Sequence, residues 1–126
     1  MNRTLPLWPV FVALMLAGCA GNEESWHGKD ISGLMPRLQF QLQGTDGNTV
    51  TPADSQGNIR LVYFGFTSCP DVCPTTLTDL RRSVHQLPEK YRDDVTTLFV
   101  SVDPRRDTPE RLASYVNFFG DRVVGL

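Results

Sequence analysis

Ile59-Arg60-Leu61-Val62-Tyr63-Phe64-Gly65-Phe66-Thr67-Ser68-Cys69-Pro70-Asp71-Val72-Cys73-Pro74-Thr75-Thr76-Leu77 is the stretch from which the fold is read. Its first eight residues are almost continuously apolar and aromatic, the pattern of a strand buried on both faces, and residues 95–102 repeat it. Between the two, Leu77, Leu80, Val84 and Leu87 recur at helical spacing, whereas Arg81, Arg82 and Gln86 fall elsewhere on the wheel. That is strand, helix, strand. A second helix follows: Asp107 or Thr108 can cap it, Pro109 suits its first position, and Glu110 suits its positive end. Leu112, Tyr115, Val116 and Phe119 form its apolar stripe, and Gly120 can stop it. Residues 121–126 read as the approach to a further strand. On the N-terminal side, residues 38–43 alternate apolar and polar, Thr45-Asp46-Gly47-Asn48 supplies turn residues, and residues 49–51 start a return strand. The whole is an α/β pattern, an N-terminal β-hairpin followed by βαβα with a right-handed crossover.

The first residues decide the compartment. Arg3 gives a positive start, and an apolar run of about 12 residues broken by Pro6 and Pro9 is too short for the roughly 20 needed to span a bilayer. Leu16-Ala17-Gly18-Cys19 then resembles a bacterial lipobox. The expected organisation is a lipoprotein signal peptide at 1–18, lipid attachment at Cys19, a polar membrane tether at 19–32 and one folded domain at 33–126. The protein is therefore expected in the bacterial cell envelope, extracytoplasmic and lipid-anchored to the membrane. With 126 residues there is room for a single domain. The net charge of −2, which loss of Arg3 takes to −3, excludes a nucleic-acid binder, since phosphate contact needs a basic face.

Of three cysteines, one goes to lipid, leaving Cys69 and Cys73 in an oxidising compartment with no other thiol to pair with. They sit just beyond the carboxyl end of a strand, where open α/β sheets place their sites. Pro70 and Pro74 are expected to hold Cys69 and Cys73 extended, so that the helix begins at about Pro74. The helix N-terminus favours thiolate, whereas the charge of Asp71 opposes it, and the sequence leaves the balance open. Three uses remain for the pair: a structural disulfide, of small value across so short a loop; a redox dithiol; or a soft, low-coordinate metal site suited to Cu(I).

Residues 63–77, followed by Val100-Ser101-Val102-Asp103-Pro104-Arg105-Arg106-Asp107-Thr108-Pro109, resemble the Sco/SenC family of thioredoxin-fold proteins. The resemblance covers about residues 33–126. It implies a thioredoxin-like fold and a membrane-attached copper chaperone that assists assembly of the copper A centre of cytochrome c oxidase. Cys69 and Cys73 would then be copper ligands and redox pair, with copper as Cu(I) or Cu(II). The partners would be the copper-bearing subunit of the oxidase, other envelope copper carriers and thiol reductants. A thiol-disulfide oxidoreductase without metal duty is the alternative. Asp71 and Asp103 are candidates for supporting roles, Asp103 by organising the second loop through hydrogen bonds. The family's third ligand is a histidine on a later loop, beyond Leu126, and neither His27 nor His85 matches it. The sheet is accordingly expected to be incomplete at its C-terminal end, leaving apolar surface on residues 59–66 uncovered and the stripe of the second helix short of partners. Tyr63, Phe64 and Phe66 are expected in the core beneath the cysteine loop.

Overall fold

The computed structural model describes residues 28–126. The expected signal peptide, Cys19 and the tether as far as His27 lie outside the described residues. In residues 28–36 one turn is closed by the Leu34 N–H donating to the Ile31 carbonyl (3.0 Å). The remaining elements belong to the compact unit Arg37–Leu126. Among the described residues no helix is long and apolar enough to cross a membrane.

The expected hairpin is present but short. Strand β1 (Leu42–Gln43) pairs antiparallel with β2 (Thr49–Val50), so only the last two of the six alternating residues 38–43 find a partner. Pro52 limits the return strand: it lacks an N–H for the ladder and instead opens a 3-10 turn over Pro52–Ser55. At the tip Gly47 takes φ 84°, and the Asn48 N–H donates to the Asp46 carboxylate at 3.0 Å.

Strand β3 (Ile59–Gly65), helix α1 (Val72–Gln86), short helix α2 (Glu89–Arg92), β4 (Val95–Ser101), α3 (Pro109–Asn117) and β5 (Val123–Gly125) follow. The strands form a parallel sheet in the order β3-β4-β5, with Gly65 opposite Ser101 and Phe99 opposite Gly125. Spatial order equals chain order, so the two crossovers step the same way, and α1 and α3 share one face of the sheet, both packing on Phe99. The core reflects this. Leu77 of α1 and Leu112 and Val116 of α3 close with Phe119 around Phe99, which is 0% exposed. Tyr63 and Tyr115 flank the Phe99 ring at centroid distances of 6.0 and 5.4 Å.

Three expectations are corrected by this packing. Strand β3 is not buried on both faces: Val62 is 38% and Phe64 64% exposed, because they alternate with Tyr63 and Gly65 and lie opposite the helices. Phe64 is thus outside the core, whereas Tyr63 packs as expected and Phe66 is half-buried. The α3 stripe does not lack partners, since Leu112, Val116 and Phe119 are all buried. The third correction, the start of α1, bears on the site. Helix α2 had no signal in the sequence, four residues being too few to show a period. Helix α3 begins as read, with Thr108 accepting the Arg111 N–H at 3.3 Å and Pro109 following it. Gly120 turns the chain out of it at φ 107°.

Candidate metal centre

Strand β3 ends at Gly65, and the chain turns so that the Cys69 N–H donates to the Phe66 carbonyl at 3.2 Å. Asp71 is the N-cap of α1 and Val72 its first residue. Cys73 is therefore helical rather than extended. Pro74 does not delay the helix, because N–H groups in a first turn have no intrahelical acceptor and a proline there removes no hydrogen bond. Cys73 extends the apolar stripe one step back from Leu77 and is 4% exposed, while Cys69 stays half-buried on the loop. Gly65 makes room: a Cβ there would meet the Phe99 ring at 2.8 Å and the Cys73 sulfur at 3.2 Å.

Both cysteines are free thiols. The Asp71 side chain makes no capping hydrogen bond; the Cys73 N–H donates to Cys69 Sγ at 3.3 Å, so a sulfur stands where a capping oxygen usually would. The balance left open by the sequence falls toward a lowered pKa at Cys69, with the Cys73 thiol rather than the helix as the largest cause. The Cys73 thiol, donating to Cys69, holds the Cys69 pKa below that of an ordinary cysteine; the Cys73 N–H and those of Asp71 and Val72 add to this against the opposing effect of burial. Asp71 thus acts through its backbone, and its side chain is exposed.

Two phenols lie beneath the sulfurs. Tyr63 is raised above its ordinary pKa chiefly by its hydrogen bond with Cys73. The Tyr115 hydroxyl is buried with no hydrogen-bond partner among the described residues, and burial first, then the charges of Cys73 and Cys69, push it up to about 12. Two soft sulfurs at a helix N-terminus, above a floor of aromatic side chains, make a donor set that fits a two-coordinate Cu(I) ion. Among the described residues no group of three His, Cys, Asp or Glu is placed to hold a metal. His85 is exposed in the last turn of α1, about 18 Å along the axis from Cys73, and is not a ligand. Asp103 binds the Arg106 guanidinium and accepts the Arg106 N–H at 3.1 Å through its carbonyl, organising the β4–α3 corner as expected.

The residue that sequence reasoning misplaced is Asp107. It was a candidate cap for α3, but Thr108 takes that role and Asp107 turns inward, 6% exposed. Its carboxylate accepts from the Thr67 N–H (3.0 Å), the Thr67 hydroxyl (2.6 Å) and the Ser101 hydroxyl (2.6 Å), joining the cysteine loop to the end of β4. Arg111 adds a second tie, Nη2 donating to Ser68 Oγ at 3.0 Å. The adjacent Asp-Thr-Pro offered the signal: two capping-type residues before one proline leave one of them for another task.

Comparison with known proteins bears on the family and the fold. A SCO2-like protein of Rickettsia felis is 40% identical over 87 residues, covering 69% of this chain and 42% of its own length. Among solved structures, Bradyrhizobium japonicum ScoI with copper bound superposes with a TM-score of 0.64 at 39% identity, covering 71% of this chain and 56% of that one. Apo Sco1 of Thermus thermophilus gives 0.66 at 45% identity, covering 71% and 51%. The chain thus spans about half the length, or less, of these relatives, and its fold is thioredoxin-like. The SCO1/SenC family model matches residues 34–126, and with the paired cysteines and the two corner motifs in place the chain belongs to that family.

Proposed function

We propose that this protein is a copper chaperone of the cell envelope, anchored through Cys19, that carries Cu(I) on Cys69 and Cys73 and assists assembly of the copper A centre of cytochrome c oxidase. The observation that carries the reading is the sulfur pair itself, one thiol capping the first turn of α1 and the other within that turn. Thiolates select Cu(I) over harder ions, and N–H groups aimed at one sulfur offset part of the negative charge of a dithiolate complex. A relative of 39% identity has been solved with copper bound, which supports copper as the cargo. The site lies at a surface-facing corner, as a site must when its ion is to be handed to another protein.

A second reading has its own support, the asymmetry of the pair. Cys69 is accessible with a lowered pKa, and Cys73 is buried behind it. Such a pair can reduce a partner's disulfide: the Cys69 thiolate attacks one partner sulfur, and Cys73 then resolves the mixed disulfide. The partner leaves as a dithiol carrying the two electrons, and Cys69 and Cys73 are left oxidised as a disulfide, which an envelope thiol reductant must reduce again. Anaerobic Cu(I) titration against a bidentate competitor tests the first reading. Tight binding by the wild-type chain and its loss in both Cys69→Ser and Cys73→Ser are expected. Tight binding that survives in both variants would overturn the assignment of the ligands. Membrane release of Cys19→Ser, read by fractionation, tests the anchor, and persistence in the membrane fraction would overturn it.

A further inference from the structure

We propose that Asp107 is a positioning residue for the cysteine pair, fixing through Thr67 and Ser68 where the Cys69 sulfur sits relative to Cys73. The inference rests on reading Cys69 and Cys73 as the functional pair. A buried carboxylate is costly unless donors surround it, and three converge on Asp107, two of them from Thr67, two residues before Cys69. Stability alone does not require this arrangement, because a well-packed apolar residue often serves as well as a buried charge. What the carboxylate does that an apolar residue cannot is hold Thr67 by both its backbone and its side chain. Ser68 is held in turn by Arg111, from the same corner. From this fixed start the loop needs only the Cys69 N–H to Phe66 carbonyl bond of 3.2 Å to bring Sγ to 3.3 Å from the Cys73 N–H. Without the clamp, the Thr67–Cys69 segment is held among the described residues by the Arg111 bond, the short turn and the Cys73 N–H to Cys69 Sγ bond, none of which fixes Thr67. Outer ties of this kind orient ligands, and their loss commonly weakens metal binding by about 10- to 100-fold.

The hydrogen-bond pattern suggests a discriminating pair of variants. In Asp107→Asn the amide oxygen can still accept from the Thr67 N–H and Ser101, while the amide nitrogen donates to the Thr67 hydroxyl, so the clamp survives without its charge. In Asp107→Ala it is gone. The experiment equilibrates each full-length chain with glutathione disulfide, which oxidises the two thiols to the Cys69–Cys73 disulfide and releases two glutathione molecules; Cu(I) affinity is read separately by competition. For Asp107→Ala the dithiol–disulfide constant is expected to move about tenfold, about 30 mV, with Cu(I) affinity about tenfold weaker, and Asp107→Asn to stay within about twofold of wild type in both. Wild-type values in Asp107→Ala, or equal changes in both variants, would overturn the proposal. Should Asp107→Ala fail to fold, Thr67→Val removes one of the three bonds and is expected to shift the constant by about threefold, on the order of a fraction of one hydrogen bond's net worth; no shift would overturn the proposal equally. The glutathione equilibrium involves no copper, so a wild-type chain that failed to bind Cu(I) would defeat the chaperone reading and leave this inference to be decided on its own.

Discussion

The two strand-to-helix corners of the sheet are built to one plan and capped differently. Gly65 and Ser101 are register partners, and from each the chain leaves the sheet and enters a helix, α1 or α3. At the second corner the Thr108 hydroxyl accepts the Arg111 N–H, an ordinary cap. At the first corner the Asp71 side chain makes no such bond and the Cys69 sulfur accepts the Cys73 N–H. A hydroxyl cap stabilises the helix and nothing else. A sulfur cap stabilises the helix less and directs the N–H field at a group that can ionise and bind a metal. The comparison also separates two uses of room at a corner, since Gly65 leaves space that the Cys73 sulfur fills, whereas Ser101 supplies a hydroxyl to Asp107.

The largest expected effect comes from making the first corner resemble the second. Cys69→Ser places an oxygen in the cap, so thermal unfolding should change by less than about 1 kcal/mol, while Cu(I) affinity falls by more than the roughly 100-fold that loss of an outer tie costs. A variant that unfolds much earlier than wild type would show that the sulfur does more for the helix than a cap. Next is Gly65→Ala, whose methyl meets the Phe99 ring and approaches the Cys73 sulfur; urea unfolding should register about 1–3 kcal/mol of destabilisation. Its register partner, changed as Ser101→Ala, should lose about 1–2 kcal/mol, because Ser101 Oγ both donates to the Asp107 carboxylate and accepts the Asp103 N–H. Thr108→Ala should cost about 1 kcal/mol in the same assay and leave the alkylation rate of Cys69 unchanged, since this cap faces no thiol. The smallest effect is acid dependence at Asp107. Burial pushes its pKa up, but hydrogen bonds from Ser101 and Thr67, with the nearby Arg111 charge, outweigh burial and leave it below the ordinary value. A lowered folded pKa means that its contribution is complete above about pH 4 and is lost as pH falls through the folded value, so wild type should lose stability more steeply than Asp107→Asn as pH falls below about 4.

The helices and central strands were legible because their signals are local. The stripe Leu77, Leu80, Val84, Leu87 and the Thr108-Pro109 start are written in period and cap, and β4 and α3 fall where those features place them. The cysteine pair was legible for the same reason, by spacing and by its place after an apolar strand. What escaped depended on partners distant in sequence. Apolar surface on residues 59–66 was expected to lie uncovered and does, but that Phe64 is part of it rather than of the core follows from the sidedness of two crossovers, which no window along β3 contains. The inward turn of Asp107 follows from Thr67, 40 residues earlier. The helical state of Cys73 was misread because a general rule about residues before proline was applied where a first turn relaxes it. The lowering of the Cys69 pKa rests first on the direction of the Cys73 thiol and then on that of individual N–H groups, and sequence does not carry direction.

The equality of chain order and spatial order in β3, β4 and β5 has a kinetic consequence. Each strand pairs with the next strand in the chain, so the sheet can form through two successive crossover closures, Ile59 to Val95 and Thr97 to Val123, without waiting for a segment beyond the next strand. The two sulfurs can come together as soon as β3 and α1 form, but their tie to Asp107 must await β4 and the corner beyond it. During folding the thiols are therefore reachable by oxidants and metals before their final spacing is set. Folding thus passes through a window in which Cys69 and Cys73 are close and still unclamped.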